Sequence, residues 1–269
     1  MPIRAILLDL DDTLLLEDDA TLAAVRRASE RAASRADPRT IAAAAAASAE
    51  RRFRSSPVFA YADEIGIWWG EALWGTFAGD APGLRAVRAF VPAFRRAVWT
   101  DALAAAGVAD QTLAQDLASA YGRARRSDWA VDPAAIRTLD ALAARYRLAL
   151  VTNGAPDVQR EKIAGAGLGS HFAAVVISAE LGIGKPDHRI FDAALRAIGV
   201  SARDAVMVGD SIERDIAGGH DAGLRTIWID RAGGATGRPA LADAKISELE
   251  ALPAALAAMD DPVMTVQPA

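Results

Sequence analysis

The sequence predicts an α/β protein, a doubly wound, Rossmann-like parallel sheet core with an inserted all-helical cap, and three observations carry that reading. From Ala130 to about Asp230, short β-branched or aliphatic runs alternate with helical patterns, as buried parallel strands and their crossover helices do. The run Ile3 to Asp9 has the same texture but lies about 120 residues upstream. Between them, Glu17 to Trp129 contains almost no strand-like run and is rich in Ala and Arg at helical spacing.

Taken in order, "IRAILLDL" is the first strand, apolar until it ends in Asp9, Asp11 and Asp12. "TLAAVRRASERAASRA" and "RTIAAAAAASAERRFR" read as helices. The run Ala42 to Ala47 is a plain helix rather than low complexity, because Ala is the best helix former and Arg and Glu flank it. In "IGIWWGEALWGTF", Trp69, Leu73 and Phe77 fall at i, i+4 and i+8, the buried stripe of a cap helix, while Trp68 or Trp74 is available to face a substrate. The groups Arg51, Arg52, Arg54 and Arg125, Arg126 read as solvated helix faces, one of which could recognise a substrate anion. "YRLALVTN", "FAAVVIS", "DAVMVGD" and "LRTIWID" are the remaining strands, separated by segments such as "DHRIFDAALRAIG". The expected domains are therefore a core of 1–16 and 130–260, a helical cap of 17–129, and a loosely held tail of 261–269.

Composition narrows the function. A chain of 269 residues, 52% hydrophobic, can bury a substantial core. A net charge of −5 argues against a nucleic-acid polymer as partner, which needs a basic face to displace counterions. The insertion is near neutral, with 15 basic against 14 acidic residues, so the core carries the negative excess. Cysteine is absent, which excludes disulfides and thiolate chemistry. The N-terminus enters a strand at once, without an apolar leader, so a cytoplasmic protein with no membrane association is expected, as a monomer or homodimer.

In open α/β sheets, ligands gather at the carboxyl ends of strands. There the first strand delivers Asp9 and Asp11, "LALVTNG" delivers Thr152 and Asn153, "GIGKPD" delivers Lys185, and "VMVGDSIERDI" delivers Asp210 and Asp215. Such a set suits phosphoryl transfer. A carboxylate, Asp9, can attack phosphorus and split a hard hydrolysis into two easier steps. Asp11, two residues on, projects from the same side and can protonate the departing alkoxide, then deprotonate water. Thr152 and Asn153 can donate to phosphoryl oxygens, and Lys185 supplies fixed positive charge. Because carboxylate and phosphate repel, Mg²⁺ held by oxygen ligands from Asp9 and Asp210 is expected between them. Ionised Asp9, Asp210 and Asp215 then balance Mg²⁺ plus Lys185 if Asp11 carries its proton.

"DLDDTL", "VTNG", the lysine of "GKPD" and "GDSIERD" resemble, in order, the four motifs of the haloacid dehalogenase-like hydrolase superfamily. The resemblance covers nearly the whole core. It implies Asp9 as nucleophile, Asp11 as acid/base, Thr152 and Lys185 as phosphate-binding, metal binding by Asp9, the Asp11 carbonyl and Asp210, and support from Asp215. It also implies a helical cap directly after the first motif. Asp12, where relatives often carry glycine, receives no catalytic role and is free, like Asp18, to cap a helix. More narrowly, "VTNGAPDVQREKI" and "GDSIERDIAGGHDAGLRTIWI" are similar to the branch with N-acylneuraminate-9-phosphatases and pyrimidine nucleotidases.

Each of these residues has a bland explanation as a cap, a turn or a solvated charge, but four such coincidences in order would be required. The expected function is a Mg²⁺-dependent phosphatase acting on a small-molecule phosphomonoester, a nucleotide or sugar phosphate. A phosphomutase shares the aspartyl-phosphate step. A 2-haloacid dehalogenase would use Asp9 but has no use for Asp11. A receiver-like phosphate-binding module is much shorter and lacks the insertion.

Overall fold

The computed structural model describes residues 2–231, 233 and 241–260, so the tail expected at 261–269 lies outside the described residues. Its strands are β1 (Ala5–Leu8), β2 (Arg147–Thr152), β3 (Ala174–Ile177), β4 (Ala205–Gly209), β5 (Arg225–Ile229) and β6 (Ala244–Ile246). They form one sheet in the order β3-β2-β1-β4-β5-β6, with every neighbouring pair parallel. The chain winds outward from β1 to β3 and then returns to the far side of β1 to lay down β4. That reversal opens a crevice at the carboxyl ends beside β1.

Side chains alternate across the sheet, so Ile6 and Leu8 enter one apolar layer and Ala5 and Leu7 the other. The first layer is closed by α7 (Ala135–Ala143) and α12 (Leu252–Asp260), the second by α10 (His188–Ile198). Burial on both faces explains why the strands read as unbroken apolar runs. The register pairs Leu8 with Leu150 and with Val208, so the residues just beyond, Asp9, Thr152 and Asp210, emerge on one edge.

The segment between β1 and α7 is helical throughout: α1 (Glu17–Ser29), α2 (Pro38–Arg54), α3 (Phe59–Ile65), α4 (Trp69–Ala72), α5 (Pro82–Ala105) and α6 (Gln111–Ser127). Asp37 caps α2 through the Arg39 and Thr40 amides, and Pro38 occupies the first helical position, where its missing N–H costs nothing. Asp110 caps α6 through Leu113 N at 2.9 Å. In the Ala-rich α2, Ala42, Ala45 and Ala49 form the buried face. These helices share a core of their own, into which Trp99, Leu117 and Tyr121 are fully buried.

The expected stripe of Trp69, Leu73 and Phe77 on one helix is not what forms. Helix α4 stops at Ala72, and Phe77 has φ of +53°. Arg95 from α5 takes the carbonyls of Ala72 and Gly75, satisfying groups that a continuing helix would have used. Leu73 and Phe77 are still buried, whereas Trp69 is only half-buried.

Two strands of connecting chain join the insertion to the sheet and run side by side. Leu16 N donates to Ala130 O at 2.8 Å and Asp132 N to Leu14 O at 3.0 Å. Asp12 and Ala130, one on each connection, adopt left-handed φ of +56° and +45°. Asp tolerates that region, which glycine favours. Asp12 Oδ1 also accepts from Asp18 N at 3.1 Å, so its side chain serves the first turn of α1.

Because Trp99 fills the centre of the insertion's core, Trp99→Ala should lower stability by about 3–5 kcal/mol, the usual cost of emptying a packed aromatic site. Urea denaturation followed by circular dichroism measures this, and a change below ~1 kcal/mol would contradict the packing.

Candidate active site

The strand ends converge on one ammonium group. Lys185 Nζ lies 2.5 Å from Asp9 Oδ1 and 2.6 Å from Asp215 Oδ1, and all three side chains are buried. Asp9 follows β1 directly, its amide donating to Val208 O at 3.0 Å, which ties it to β4. Asp215 sits on a π-helical turn, Ile212–Ala217, and its Oδ2 accepts from Ser211 N at 3.0 Å. Gly209 is needed beneath it, because a Cβ there would stand 2.3 Å from the Asp215 carboxyl carbon. Asp210 completes the cluster, its carbonyl accepting from Trp228 Nε1 at 2.8 Å.

Carboxylate oxygens of Asp9, Asp210 and Asp215 all lie within 4.8 Å of one another. Burial pushes the Asp9 carboxyl up to about 7 despite the Lys185 charge, and burial together with Asp9 and Asp215 pushes Asp210 up to about 9. Burial also opposes the Lys185 charge, but Asp215 and Asp9 outweigh it and hold the ammonium above its ordinary range. Three acids against one base leave an excess of negative charge, a donor set of oxygens alone that fits a hard divalent cation.

The motif after β2 is arranged differently from its sequence expectation in one respect. The Asn153 carboxamide does not point its bonds at a phosphate position. Its Nδ2 donates to Lys185 O at 2.9 Å and its Oδ1 accepts from Lys185 N at 2.8 Å, so the side chain fixes the backbone that carries the lysine. Thr152 is buried at the end of β2, with Oγ1 accepting from Gln159 Nε2 at 2.8 Å. Ser178, at the start of α9 (Ser178–Leu181), accepts from Gly154 N at 2.8 Å and donates to Ile65 O at 2.7 Å, linking this motif to the insertion. At the same seam Gly66 has φ of +85°, and a Cβ on it would come 2.5 Å from Asn153 Cβ. A side chain at this position would force the insertion off the motif.

Asp11 has partners that the sequence did not reveal. Lys162 Nζ lies 2.9 Å from Oδ1 and Gln159 Nε2 lies 2.9 Å from Oδ2, both from α8 (Pro156–Gly165). The charge count made from sequence omitted this second cation, and Asp11 is therefore balanced separately from the Lys185 cluster. Lys162 also meets Glu71 at 2.7 Å and Glu17 at 3.5 Å, and Glu17 is in turn gripped by Arg125 at 2.7 Å. Arg125, expected on a solvated face, is 1% exposed, held by this pair and by its place 5.6 Å from the Trp74 ring. Arg51, Arg52 and Arg54 are exposed as expected. The signal for Gln159 and Lys162 was their i, i+3 spacing in "VQREKI", polar residues on one helix face immediately after the second motif.

A cavity of about 400 Å³ is lined by insertion residues, among them Asp18, Arg54, Asp63, Trp68 and Trp69, together with Arg214, the neighbour of Asp215. Trp68 and Arg54 both line it. Trp74 does not. It is 2% exposed and packs edge-on against Trp129 at 6.0 Å, away from this cavity.

Residues 3–223 match the family described as haloacid dehalogenase-like hydrolase. The chain is 42% identical over 228 residues to a phosphoserine phosphatase of Thermus thermophilus, spanning 85% of this chain and 89% of that one. It is 40% identical over 99 residues to a pyrimidine 5'-nucleotidase of Escherichia coli, spanning 36% of this chain and 44% of that one. Among solved structures, a 2-haloacid dehalogenase from Pseudomonas syringae superposes with a TM-score of 0.57 at 29% identity, over 96% of this chain and 99% of that one. The parallel sheet with its helical cap, the four strand-end motifs and these likenesses agree, and the chain belongs to the haloacid dehalogenase-like hydrolase family.

Proposed function

We propose that this protein hydrolyses a small-molecule phosphomonoester in two steps through a phosphorylated Asp9. The observation that carries the reading is the coexistence of Asp9 at the end of β1 and Asp11 two residues later, each held by a different lysine. Hydrolysis of a carbon–halogen bond needs no proton on its leaving group, so a dehalogenase would leave the second aspartate without a task. In the first step an Asp9 carboxylate oxygen forms a bond to phosphorus. The bond from phosphorus to the ester oxygen breaks with its electron pair on that oxygen, and Asp11 delivers the proton. Water then attacks the phosphoryl group, Asp11 takes its proton, and Asp9 is regenerated as phosphate leaves. Lys185 and the Thr152 hydroxyl supply fixed positive and hydrogen-bonding partners to phosphoryl oxygens, and Asn153 holds the Lys185 backbone in register.

Asp9, Asp210 and the Asp11 carbonyl would hold Mg²⁺, with Asp215 supporting Lys185 beside them. When bound, that ion offsets the negative charge shared by these acids and the phosphate. The donor set contains oxygen alone, which suits Mg²⁺ better than zinc.

The cavity at the seam receives the leaving group. Its lining offers acids, Asp18 and Asp63, and bases, Arg54 and Arg214, beside Trp68. That mixture suits a polar or zwitterionic alcohol, and the likeness to a phosphoserine phosphatase supports adding a phosphorylated hydroxy-amino acid to the nucleotides and sugar phosphates proposed as substrates.

Phosphate release from a panel of O-phosphoserine, nucleoside monophosphates and sugar phosphates tests the reading. Asp9→Asn should lower turnover about 10³-fold or more with the fold intact by circular dichroism, and near wild-type release from the folded variant would sink the assignment. EDTA should abolish activity reversibly, with Mg²⁺ restoring it and no change in the thermal melt. Undiminished release in EDTA would count against the oxygen site. Trp68→Ala should change kcat/KM among panel substrates by about tenfold, a loss of ~1.4 kcal/mol, and p-nitrophenyl phosphate by less. An unchanged ranking would remove the cavity from substrate selection.

A further inference from the structure

We propose that Lys162 is a positioning residue for proton transfer, its ammonium anchored from the insertion by Glu71 and Glu17 so that the Asp11 carboxylate is set only when the insertion is seated on the sheet.

The geometry is closed on every side. An ammonium has three N–H donors. Those of Lys162 face Asp11 Oδ1 at 2.9 Å, Glu71 Oε1 at 2.7 Å and Glu17 Oε2 at 3.5 Å. Lys162, Glu71 and Glu17 are respectively 0%, 1% and 2% exposed, whereas Asp11 is 25% exposed. Lys162 comes from the sheet's α8, while Glu17 opens α1 at the start of the insertion and Glu71 is on α4 near its middle. Arg125, at the end of α6, fixes Glu17 through two contacts of 2.9 and 2.7 Å. A buried ammonium needs counter-charge, and the docked insertion adds two acids, Glu71 and Glu17, to the one the sheet side supplies in Asp11. Burial opposes the Lys162 charge, yet Asp11, Glu17 and Glu71 together raise it above its ordinary range, so it remains a cation.

The opposite oxygen of Asp11 is held by Gln159, whose Nε2 also contacts Thr152 Oγ1 at 2.8 Å and Asn153 O at 2.6 Å. One face of the carboxylate is thus tied to the phosphate-binding motif and the other to the insertion. Misplacing a proton donor by an ångström is costly in rate, which is what such a double restraint prevents. Lys162 touches neither the nucleophile nor its lysine, so its influence is confined to the proton transfers that Asp11 makes, and the leaving group's need for a proton distinguishes the first of them.

The proposal rests on Asp11 being the acid/base, and the test separates the two. Lys162→Met is compared with wild type on an alkyl phosphate, whose alkoxide needs a proton, and on p-nitrophenyl phosphate, whose phenolate leaves readily. The expected result is a loss in kcat of about tenfold or more on the alkyl ester, part of the ~10²–10⁴ that proton transfer contributes, with a several-fold smaller loss on the nitrophenyl ester. KM should change little on either. Adding Lys162→Met to Asp11→Asn should cause no further loss on the alkyl ester, because the two act through one group. Equal losses on both esters, no loss on either, or full additivity with Asp11→Asn overturns the proposal while leaving an inactive Asp9→Asn to support the broader reading. If Lys162→Met does not fold, the pair Lys162→Met with Glu71→Gln, which removes one charge of each sign, carries the same comparison. Glu71→Gln alone should shift the ratio of the two esters in the same direction by about threefold, and an unchanged ratio counts against the anchor.

Discussion

The Lys185 ammonium stands between Asp9 and Asp215, with Asp210 close by, and the placement of the rest of the active site follows from that group. Parallel strands β1 and β4 deliver acids to one edge because their registers agree, and like charges so gathered repel. The cation that answers them has to arrive from a neighbouring loop, and its backbone has to be fixed. Asn153 does the fixing with two hydrogen bonds to Lys185, and Gly209 leaves room for Asp215 by having no side chain. The π-helical turn that carries Asp215 wraps tightly after β4, so Ser211 N reaches the second oxygen of the same carboxylate.

A second, separate charge cluster surrounds Lys162. Three acids, Asp11, Glu17 and Glu71, meet two bases, Lys162 and Arg125, with an excess of one negative charge when all are ionised, against two around Lys185. Burial pushes the Glu71 carboxyl up to about 7 in spite of the Lys162 charge. Dividing the acids between two lysines gives Asp9 and Asp11 different counter-charges, although they are two residues apart. In the proposed reaction that difference suits one to act as nucleophile and the other as proton carrier.

The sheet and its reacting edge were legible in the sequence because both are local patterns. An apolar run ending in Asp9, or in Thr152 and Asn153, marks a strand end by itself, and the parallel order then follows from the helices between runs. The Lys162 cluster was not legible, because its contacts span 91, 108 and 151 residues and none of its members stands in a recognisable spacing with another from the insertion. Arg125 looked like one more charge on an arginine-rich helix, and only the position of Glu17 on α1 makes it a buried partner. The tryptophans were equally ambiguous. Trp68 and Trp74 lie just before and just after α4, and the first lines the cavity while the second enters the insertion's core.

The architecture divides the labour between its two parts. In the proposed reaction the sheet supplies every group that meets the phosphoryl end, and those groups depend on strand register and on motif residues close in sequence. The insertion supplies Asp18, Arg54, Asp63 and Trp68 around the cavity, where nothing in the phosphoryl chemistry constrains them. Substitutions there can retune which alcohol is accepted without disturbing Lys185 or Asp9. The two parts are nevertheless joined at points that bear on chemistry: Ile65 O to Ser178, Gly66 against Asn153, and Glu71 to Lys162. Each of these contacts pairs an insertion residue with a group that orders Thr152, Lys185 or Asp11. In the proposed reaction, seating of the insertion and completion of the reacting set would be one event, set by these same contacts.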